Sequence, residues 1–325
     1  MPPQDSQVLR LVRKASHAPS RIGRVPGNLQ RFARALATHP IEALQYIPES
    51  VSWHLFDRQV AYDVEENYGA PFHQMLGVPW PCVELERFHQ VWADIERRLL
   101  AKGLSFGRWT HGEYSDADPA LGAATWCAVR HHRPTTVLET GVARGVTSRI
   151  ILEALSLNGA GQLWSLDLPH PFRPELHKET AAAVPTSCRD RWTYIRGSSR
   201  SQLPSLVSRL KKIDMFVHDS LHTGRNMRFE LNTVWPAMHG GDLALVDDVD
   251  NQSFRDFVRA VDAPQSIVMR SADGPWLFGA IRKDGPADPG GLLATARSQP
   301  GTASPRTPDL RPSRERDRPS GPSVA

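Results

Sequence analysis

The sequence predicts an α/β protein built on a doubly wound, mostly parallel, seven-stranded sheet, with a helical N-terminal extension and a disordered C-terminal tail. From about residue 115 onward, short apolar stretches typical of buried strands alternate with stretches of helical spacing. Such alternation is typical of a parallel sheet covered by helices on both faces. The two ends of the chain differ from this region, because proline and arginine are frequent there.

Composition divides the chain into four regions. We expect a disordered basic N-terminus over residues 1–28, the helical extension over 29–114, the sheet domain over 115–284 and a disordered tail over 285–325. The tail has eight prolines and no aromatic residue. It therefore has too little apolar surface to offset the entropy lost on ordering.

Helical spacing predicts two helices in the extension, because apolar residues recur there at i, i+3, i+4 and i+7. The first set is Leu29, Phe32, Ala33 and Leu36, and the second is Phe88, Val91, Trp92, Ile95 and Leu99. We expect the extension to pack on the sheet domain.

The sheet domain is expected to open with a helix and then to alternate. Asp118 and Pro119 suit the N-cap and first position of a helix that runs to about His131. The predicted strands are Thr136–Glu139, Gln162–Leu168, Trp192–Ile195, Ile213–Val217, Asp242–Val246, Ser266–Met269 and Trp276–Ile281. The helices between them include Ser148–Leu157, one with Leu203, Leu206, Val207 and Leu210, and one with Met227, Leu231, Val234 and Trp235.

Charge and composition exclude several classes of protein. The pI of 9.1 comes from the ends: residues 1–28 carry +4 and 285–325 carry +2, so the middle of this +4 chain is slightly acidic. A basic face for specific nucleic-acid binding is therefore not expected. No stretch is long and apolar enough for a membrane span or a secretory signal, so the cytoplasm is the expected compartment. The cysteines Cys82, Cys127 and Cys188 are distant in sequence, and we expect buried reduced thiols rather than a disulfide or thiolate metal site.

A glycine turn follows the first strand, and an acidic residue ends the second. The turn is Glu139-Thr-Gly141-Val-Ala-Arg-Gly145, and Asp167 follows Gly141 by 26 residues. Ligands bind at the carboxyl ends of strands in such sheets, where Asp167 can accept hydrogen bonds from ribose hydroxyls. The carboxylate of Glu139 would repel a pyrophosphate, which argues against a nicotinamide dinucleotide. It suits a cationic ligand such as the amino group and sulfonium of S-adenosylmethionine.

Acidic residues also follow the fourth and fifth strands. Asp219 follows the fourth strand, and Asp247 and Asp248 follow the fifth. Three carboxylates at one edge would repel one another without a cation, and oxygen ligands favour Mg²⁺ or another hard divalent ion. His222 lies three residues beyond Asp219, and an imidazole that titrates near neutrality suits a general base.

The motifs VLETGVARGVTS, LWSLDLP, IDMFVHDSLHT and LALVDDVD resemble the class I S-adenosylmethionine-dependent methyltransferases. More narrowly, residues 136–283 are similar to the branch of macrocin O-methyltransferases and cephalosporin hydroxylases. The resemblance implies a Rossmann-like methyltransferase fold. It does not extend to residues 1–110 or to the tail.

The resemblance also implies roles for individual residues. Glu139, Gly141 and Gly145 would line the methionine end of the cofactor, and Asp167 would hold the ribose. Gly197, Ser198 and Ser199 would border the adenine, and Asp219 would lie against the cofactor as well as binding metal. Related catechol-type enzymes carry a lysine base at the position of His222. The Asp-Gly-Asp-His turn of the family is altered here, with Ser220-Leu221 in its middle.

Together these observations predict an S-adenosylmethionine-dependent O-methyltransferase that uses a divalent metal and acts on a small hydroxylated acceptor, such as a sugar or secondary metabolite. The alternatives are a non-catalytic scaffold that retains the fold and, less favoured, a nicotinamide-dependent oxidoreductase. The expected partner is a small molecule rather than nucleic acid or membrane, and the sequence is compatible with a homo-oligomer.

Overall fold

The computed structural model describes residues 57–285, apart from 112–113, 171–172 and 264, together with five isolated helical positions at 33, 36, 37, 40 and 44. Ala33 and Leu36 of the first predicted helix are among these positions, whereas Leu29 and Phe32 lie outside the described residues. The predicted disordered regions, 1–28 and nearly all of 285–325, also lie outside them.

Seven helices and seven strands make up the main elements of the described residues. The helices are α1 Gly69–Leu76, α2 Leu85–Ala101, α3 Pro119–His132, α4 Val146–Asn158, α5 Ser199–Leu210, α6 Gly224–Val234 and α7 Gln252–Ala260. The strands are β1 Thr136–Thr140, β2 Gln162–Asp167, β3 Trp192–Arg196, β4 Met215–His218, β5 Leu243–Val246, β6 Gln265–Arg270 and β7 Leu277–Arg282. Short 3₁₀ helices cover Pro174–Glu179, Thr186–Arg191 and Trp235–Ala237.

The strands form one sheet in the order β3-β2-β1-β4-β5-β7-β6. The first five strands are parallel, and β7 runs antiparallel between β5 and β6. This confirms the predicted doubly wound, mostly parallel, seven-stranded sheet. The register aligns Thr140 of β1 with Leu166 of β2 and with His218 of β4, and His218 with Val246 of β5. The residues that follow these strands therefore lie along one edge.

Each face of the sheet carries its own buried apolar cluster. One cluster joins β1 and β4 to α3 and α4, with Trp126, Ile150 and Ile151 among its fully buried residues. The other lies under α5, α6 and α7 and includes Phe216 and Phe254. The two covered faces explain why the central strands are almost wholly apolar in sequence.

The described part of the N-terminal extension shares the core of the sheet domain. Helix α2 buries Phe88, Val91, Ile95 and Leu99, as its spacing predicts, in the same cluster as α3 and α4. Residues 57–65, the described segment that precedes α1, are not helical. There Gln59 and Glu65 form isolated bridges with Asn251 and Met269 of the sheet domain.

The boundary of α3 agrees with the capping signals in the sequence. The carboxylate of Asp118 accepts hydrogen bonds from the amides of Ala120 and Leu121 at 2.7 and 3.2 Å, and Pro119 occupies the first turn. Asp118 thus satisfies amides that lack a partner within the helix. No helix among the described residues is long and apolar enough to cross a membrane.

The cysteines depart from the sequence expectation in two respects. Cys82 and Cys127 are buried, but Cys188 is only half-buried. In addition, Cys82 and Cys127, 45 residues apart, are neighbours in space, with their sulfur atoms 3.6 Å apart. The sequence could not show this proximity, because α2 and the whole of residues 102–118 separate the two positions.

Candidate active site

The carboxylate of Glu139 lies fully buried near the end of β1. Its Oε2 accepts hydrogen bonds from the hydroxyls of Ser148 and Ser165, at 2.7 and 2.6 Å. Its Oε1 is buried and has no hydrogen-bond partner among the described residues. Burial raises the pKa of Glu139 to about 8, against the opposing effect of the two serine hydroxyls. A buried acceptor of this kind is costly unless a ligand satisfies it.

The glycine turn is required by the fold as well as by any ligand. Gly141 has a φ of +90°, and a Cβ added there would lie 1.8 Å from the carbonyl oxygen of Asp219. Gly145 has a φ of +79°, and a Cβ there would lie 2.9 Å from Val184. These left-handed positions favour glycine. The contact at Gly141 brings the ends of β1 and β4 together.

Asp167 supports the turn with one oxygen and leaves the other unsatisfied. Its Oδ1 accepts a hydrogen bond from the amide of Val142 at 3.3 Å. Its Oδ2 is buried, and no described residue donates to it. Burial raises the pKa of Asp167 above its ordinary value, although the amides of Val142 and Ala143 act against the shift. Asp167 is thus held in place with a free acceptor, as a ribose-binding carboxylate must be.

The residues after β3 lie beside Asp167. The amide of Gly197 donates to the carbonyl oxygen of Asp167 at 2.9 Å. Ser198 is the N-cap of α5, and its hydroxyl accepts from the amide of Ser201. The hydroxyl of Ser199 is directed toward α6, where it lies 3.3 Å from Oδ1 of Asn226. Of these three, Gly197 is in direct contact with another predicted cofactor residue.

Asp219, Asp247 and His222 form a cluster at the ends of β4 and β5. Nε2 of His222 lies 3.7 Å from Oδ1 of Asp219 and 3.8 Å from Oδ2 of Asp247. These three residues each offer a ligand atom within 4.8 Å of the others. Asp248 lies on the other side of the ring, with Oδ2 2.7 Å from Nδ1 of His222. The cluster therefore differs from the expected set of three aspartates, because Asp248 takes a left-handed conformation with φ of +50° and faces Nδ1.

The electrostatics of the cluster favour positive charge. Burial lowers the pKa of His222, but Asp248, Asp219 and Asp247 outweigh it and raise that pKa well above the ordinary value. Burial and the neighbouring carboxylates of Asp248 and Asp219 raise the pKa of Asp247. Both shifts have the direction expected where carboxylates crowd together and an added positive charge would be stabilised.

Two buried polar groups near the site were not anticipated from the sequence. Arg144, between the two glycines of the turn, is 3% exposed. It donates to Glu179 at 2.7 Å and to the carbonyl oxygens of Ser105 and Thr110 at 2.7 and 2.6 Å. The sequence placed Arg144 in the loop but carried no signal for these distant partners.

The second group is a buried pair beneath the cluster. Nδ1 of His218 lies 2.6 Å from Oε2 of Glu230, and both side chains are fully buried. Thr140 and Ser220 also donate to Glu230, at 2.6 and 2.8 Å. Burial alone would raise the pKa of Glu230, but His218 and the hydroxyl donors lower it to about 2. The network ties α6 to the ends of β1 and β4, the two strands that meet at the glycine turn.

Comparison with known proteins finds one matching protein family and several solved structures of similar fold. Residues 138–249 match the model of a family described as a methyltransferase domain. A putative O-methyltransferase from Klebsiella pneumoniae has 17% identity and a TM-score of 0.46, over 60% of this chain and 90% of that one. The O-methyltransferase TomG from Streptomyces achromogenes, solved with S-adenosylmethionine, has 16% identity and a TM-score of 0.44, over 60% and 90%. The Bacillus cereus O-methyltransferase, solved with S-adenosylhomocysteine, has 16% identity and a TM-score of 0.45, over 66% and 97%. No curated protein sequence matches the chain significantly.

The family match shows that residues 138–249 are similar to a methyltransferase domain. The sheet order, the glycine turn and the buried acids at the carboxyl edge of the sheet agree with that similarity. The matched segment contains every site residue from Glu139 to Asp248.

Proposed function

We propose that the protein is a divalent-metal-assisted O-methyltransferase that acts on a small hydroxylated acceptor, such as a sugar or a secondary metabolite. The supporting observation is the contact between the cofactor turn and the acidic cluster. The space for a Cβ at Gly141 is filled by the carbonyl of Asp219, and the hydroxyl of Thr147 donates to Oδ2 of Asp219 at 3.0 Å. A hydroxyl bound at the cluster would lie next to the methyl donor.

The two buried carboxylates would bind different groups of the cofactor, one cationic and one neutral. S-adenosylmethionine supplies an electrophilic methyl group on a sulfonium. Oε1 of Glu139 would accept from its cationic amino group, and Oδ2 of Asp167 from the ribose hydroxyls. Both oxygens are buried and lack partners among the described residues. The adenine would be bordered by Gly197, Ser198 and Ser199. Asp219, which directly follows β4, would lie against the cofactor.

The cluster fits a divalent cation held by Asp219, Asp247 and Nε2 of His222. Asp248 would fix the orientation of the ring through Nδ1, as the outer partners of metal-binding histidines do. Such an ion supplies a Lewis acid that lowers the pKa of a bound hydroxyl. An imidazole together with two carboxylates extends the choice beyond Mg²⁺, which prefers oxygen ligands, to Mn²⁺ and Zn²⁺.

His222 has a second candidate role, the general base predicted from the sequence. Because its pKa is raised in the absence of another cation, it would have to lose its proton before it could accept one from the acceptor. The ligand role and the base role predict different properties for the variant His222→Ala. If His222 is a ligand, His222→Ala weakens metal binding. If it is the base, the variant keeps the metal and turnover slows by about 10²–10⁴-fold.

The metal can be tested before the acceptor is known. Calorimetric titration of metal-free protein with Mg²⁺ and Mn²⁺ should show binding that Asp247→Asn abolishes. Asp248→Asn should weaken binding by about 10–100-fold, the usual effect of an outer partner. The matched control is Asp167→Asn, which should bind metal normally but bind the cofactor weakly. Equal metal binding by wild type and Asp247→Asn would contradict the proposed site.

Acceptor and activity can be identified together. Metabolite extracts incubated with isotope-labelled S-adenosylmethionine should yield a labelled product, found by mass spectrometry. Activity lost with EDTA and restored by Mg²⁺ or Mn²⁺ would support metal assistance. Cofactor binding without turnover on any extract would instead favour the scaffold alternative.

A further inference from the structure

A second cluster of ligand atoms lies away from the active site, at the join between the extension and the sheet domain. Ligand atoms of His73, Cys82 and His131 lie within 4.8 Å of one another. The sulfur of Cys82 is 3.1 Å from Nε2 of His131 and 3.6 Å from the sulfur of Cys127. The four side chains come from three places in the chain: α1, the segment that follows it, and α3.

Two distances within the cluster are near those around a tetrahedral metal ion, and Cys127, which lies outside the group of three, contacts it through Cys82. Zinc–sulfur bonds of about 2.3 Å and zinc–nitrogen bonds of about 2.0 Å place adjacent ligand atoms roughly 3.3–3.8 Å apart. The contacts of Cys82 with Cys127 and His131 are close to this range. Cys127 and His131 are four residues apart on α3, so both project from the same face of that helix.

His73 supplies independent support for a ligand. Its side chain is 2% exposed, and its Nδ1 lies 2.7 Å from the carbonyl oxygen of Gly69, to which it donates. Its Nε2 is therefore the acceptor nitrogen, and this buried atom has no hydrogen-bond partner within the described part of the chain. A histidine held by a backbone carbonyl through one nitrogen, with the other nitrogen available, has the arrangement of a zinc ligand.

We propose that His73, Cys82, Cys127 and His131 bind one Zn²⁺ ion, which joins α1 and the segment after it to α3. Two thiolates and two imidazoles are the ligand set of a closed structural zinc site, and thiolates select zinc over Mg²⁺ or Ca²⁺. On binding, the two thiols release their protons to solvent, and the two thiolate charges neutralise the ion.

The location separates this ion from catalysis. His131 lies in the last turn of α3, and the neighbouring His132 bonds to the carbonyl of Asp214, just before β4 begins. This is the amino edge of the parallel strands, opposite to the cluster of Asp219 and Asp247. The proposed zinc therefore stabilises the fold and does not depend on the proposed function.

Zinc content of the full-length protein tests the proposal directly. After removal of any affinity tag and dialysis, elemental mass spectrometry should find about one zinc per chain. Cys82→Ser and Cys127→Ser should lose most of it. Cys188→Ser is the matched control, because Cys188 lies beside Glu153 and outside the cluster. Asp247→Asn should retain the zinc, which distinguishes this ion from one at the active site.

A spectroscopic measurement covers the case in which the cysteine variants do not fold. Wild-type protein in which Co²⁺ replaces the metal should show thiolate-to-cobalt charge-transfer absorption, which the carboxylate cluster cannot produce. A strong chelator should lower the melting temperature of wild type. Retention of wild-type zinc by Cys82→Ser, absence of the thiolate absorption, or a metal-free native protein with a Cys82–Cys127 disulfide would each overturn the proposal.

Discussion

Glu139 combines two features that seldom occur in one residue: complete burial and a carboxylate oxygen without a partner in the described structure. Ser148 and Ser165 hold its other oxygen. Without ligand the residue therefore favours its protonated form, and its pKa is raised to about 8. A cationic ligand reverses this preference, because it stabilises the ionised carboxylate.

This coupling predicts a pH dependence of cofactor binding. Below pH 8, binding of S-adenosylmethionine should release protons, and affinity should fall as pH decreases, by up to about tenfold per pH unit for one linked group. Calorimetry at pH 6.5 in buffers of different ionisation enthalpy measures the number of protons released. Glu139→Gln should release fewer protons than wild type, because it lacks the carboxyl group whose pKa is raised to about 8.

The control for this experiment is Glu96→Gln on the exposed face of α2, which should release as many protons as wild type. If Glu139→Gln and wild type release equal numbers of protons, the carboxylate does not face the cationic end of the cofactor.

At the residue scale, the sequence predicted positions better than partners. Four acidic residues lie at the end of a strand or directly after one: Glu139, Asp167, Asp219 and Asp247. Because parallel strands align their carboxyl ends, the shared edge of these residues was predictable. The inclusion of His222 among the ligand atoms was not, because it depends on the left-handed backbone at Asp248. The partners of Arg144 were equally hidden, because they lie in other segments.

At the scale of elements, Arg144 connects three segments that are distant from one another in sequence. It joins the glycine turn to the end of the extension at Ser105 and Thr110 and to the 3₁₀ helix that ends at Glu179. The amide of Ala183 also donates to the carbonyl of Arg144, at 2.9 Å. The glycine turn is thus held by the contacts of Arg144 with other segments as well as by the hydrogen bond between Val142 and Asp167.

Replacing Arg144 should destabilise the domain and loosen the cofactor turn together. Arg144→Met removes the guanidinium that pairs with Glu179 and, at 3.4 Å, with the buried Asp116, and only His111 remains beside Glu179. Breaking a buried ion pair in this way typically costs about 3–5 kcal/mol. Thermal unfolding and cofactor titration should both show the loss. Arg144→Lys should fall between this variant and wild type, because lysine keeps the charge but not the planar fork of donors.

Arg97→Met is the matched control. Arg97 pairs with Asp94 on the surface of α2, with the two side chains 68% and 47% exposed. Such surface pairs contribute little to stability. Equal melting temperatures for Arg97→Met and Arg144→Met would show that Arg144 does not brace the turn.

The apolar pattern predicted the elements well where they are buried in the core and poorly where they are not. Helix α2 follows its helical spacing, and the first five strands follow the short apolar stretches of the sequence. The described segment before α1 has no regular spacing of apolar residues. It is fixed to the sheet domain by single bridges and by side chains such as Tyr62. These contacts are between residues some 190 positions apart, beyond the reach of any local pattern.

At the scale of the molecule, the last strand in the chain, β7, is not at the edge of the sheet but lies between β5 and β6. Strand β7 pairs with β5 through Leu245 and Ala280 and with β6 through Ile267 and Ala280. After β7, Lys283 donates to the carbonyls of Trp235 and Met238, both at 2.7 Å. Residues 277–283 therefore hold β6 to the rest of the sheet.

Two truncations should consequently differ. A chain that ends at residue 285 retains these contacts, and composition predicts that it keeps its melting temperature and cofactor affinity. A chain that ends at residue 276 lacks β7 and should show no cooperative unfolding transition. A drop of several degrees on removal of 286–325 would show that those residues pack on the domain.

The inner position of β7 also has a consequence for synthesis. The ribosome delivers the chain from its N-terminus, so β1 to β5 can assemble while the sheet still lacks its last strand. Until residues 277–282 emerge, the outer edge of β5 presents unpaired amides and carbonyls, and β6 has no strand to join. Open edges of this kind invite pairing with other chains. Nascent chains halted between β5 and β7 are therefore the ones that most require a chaperone.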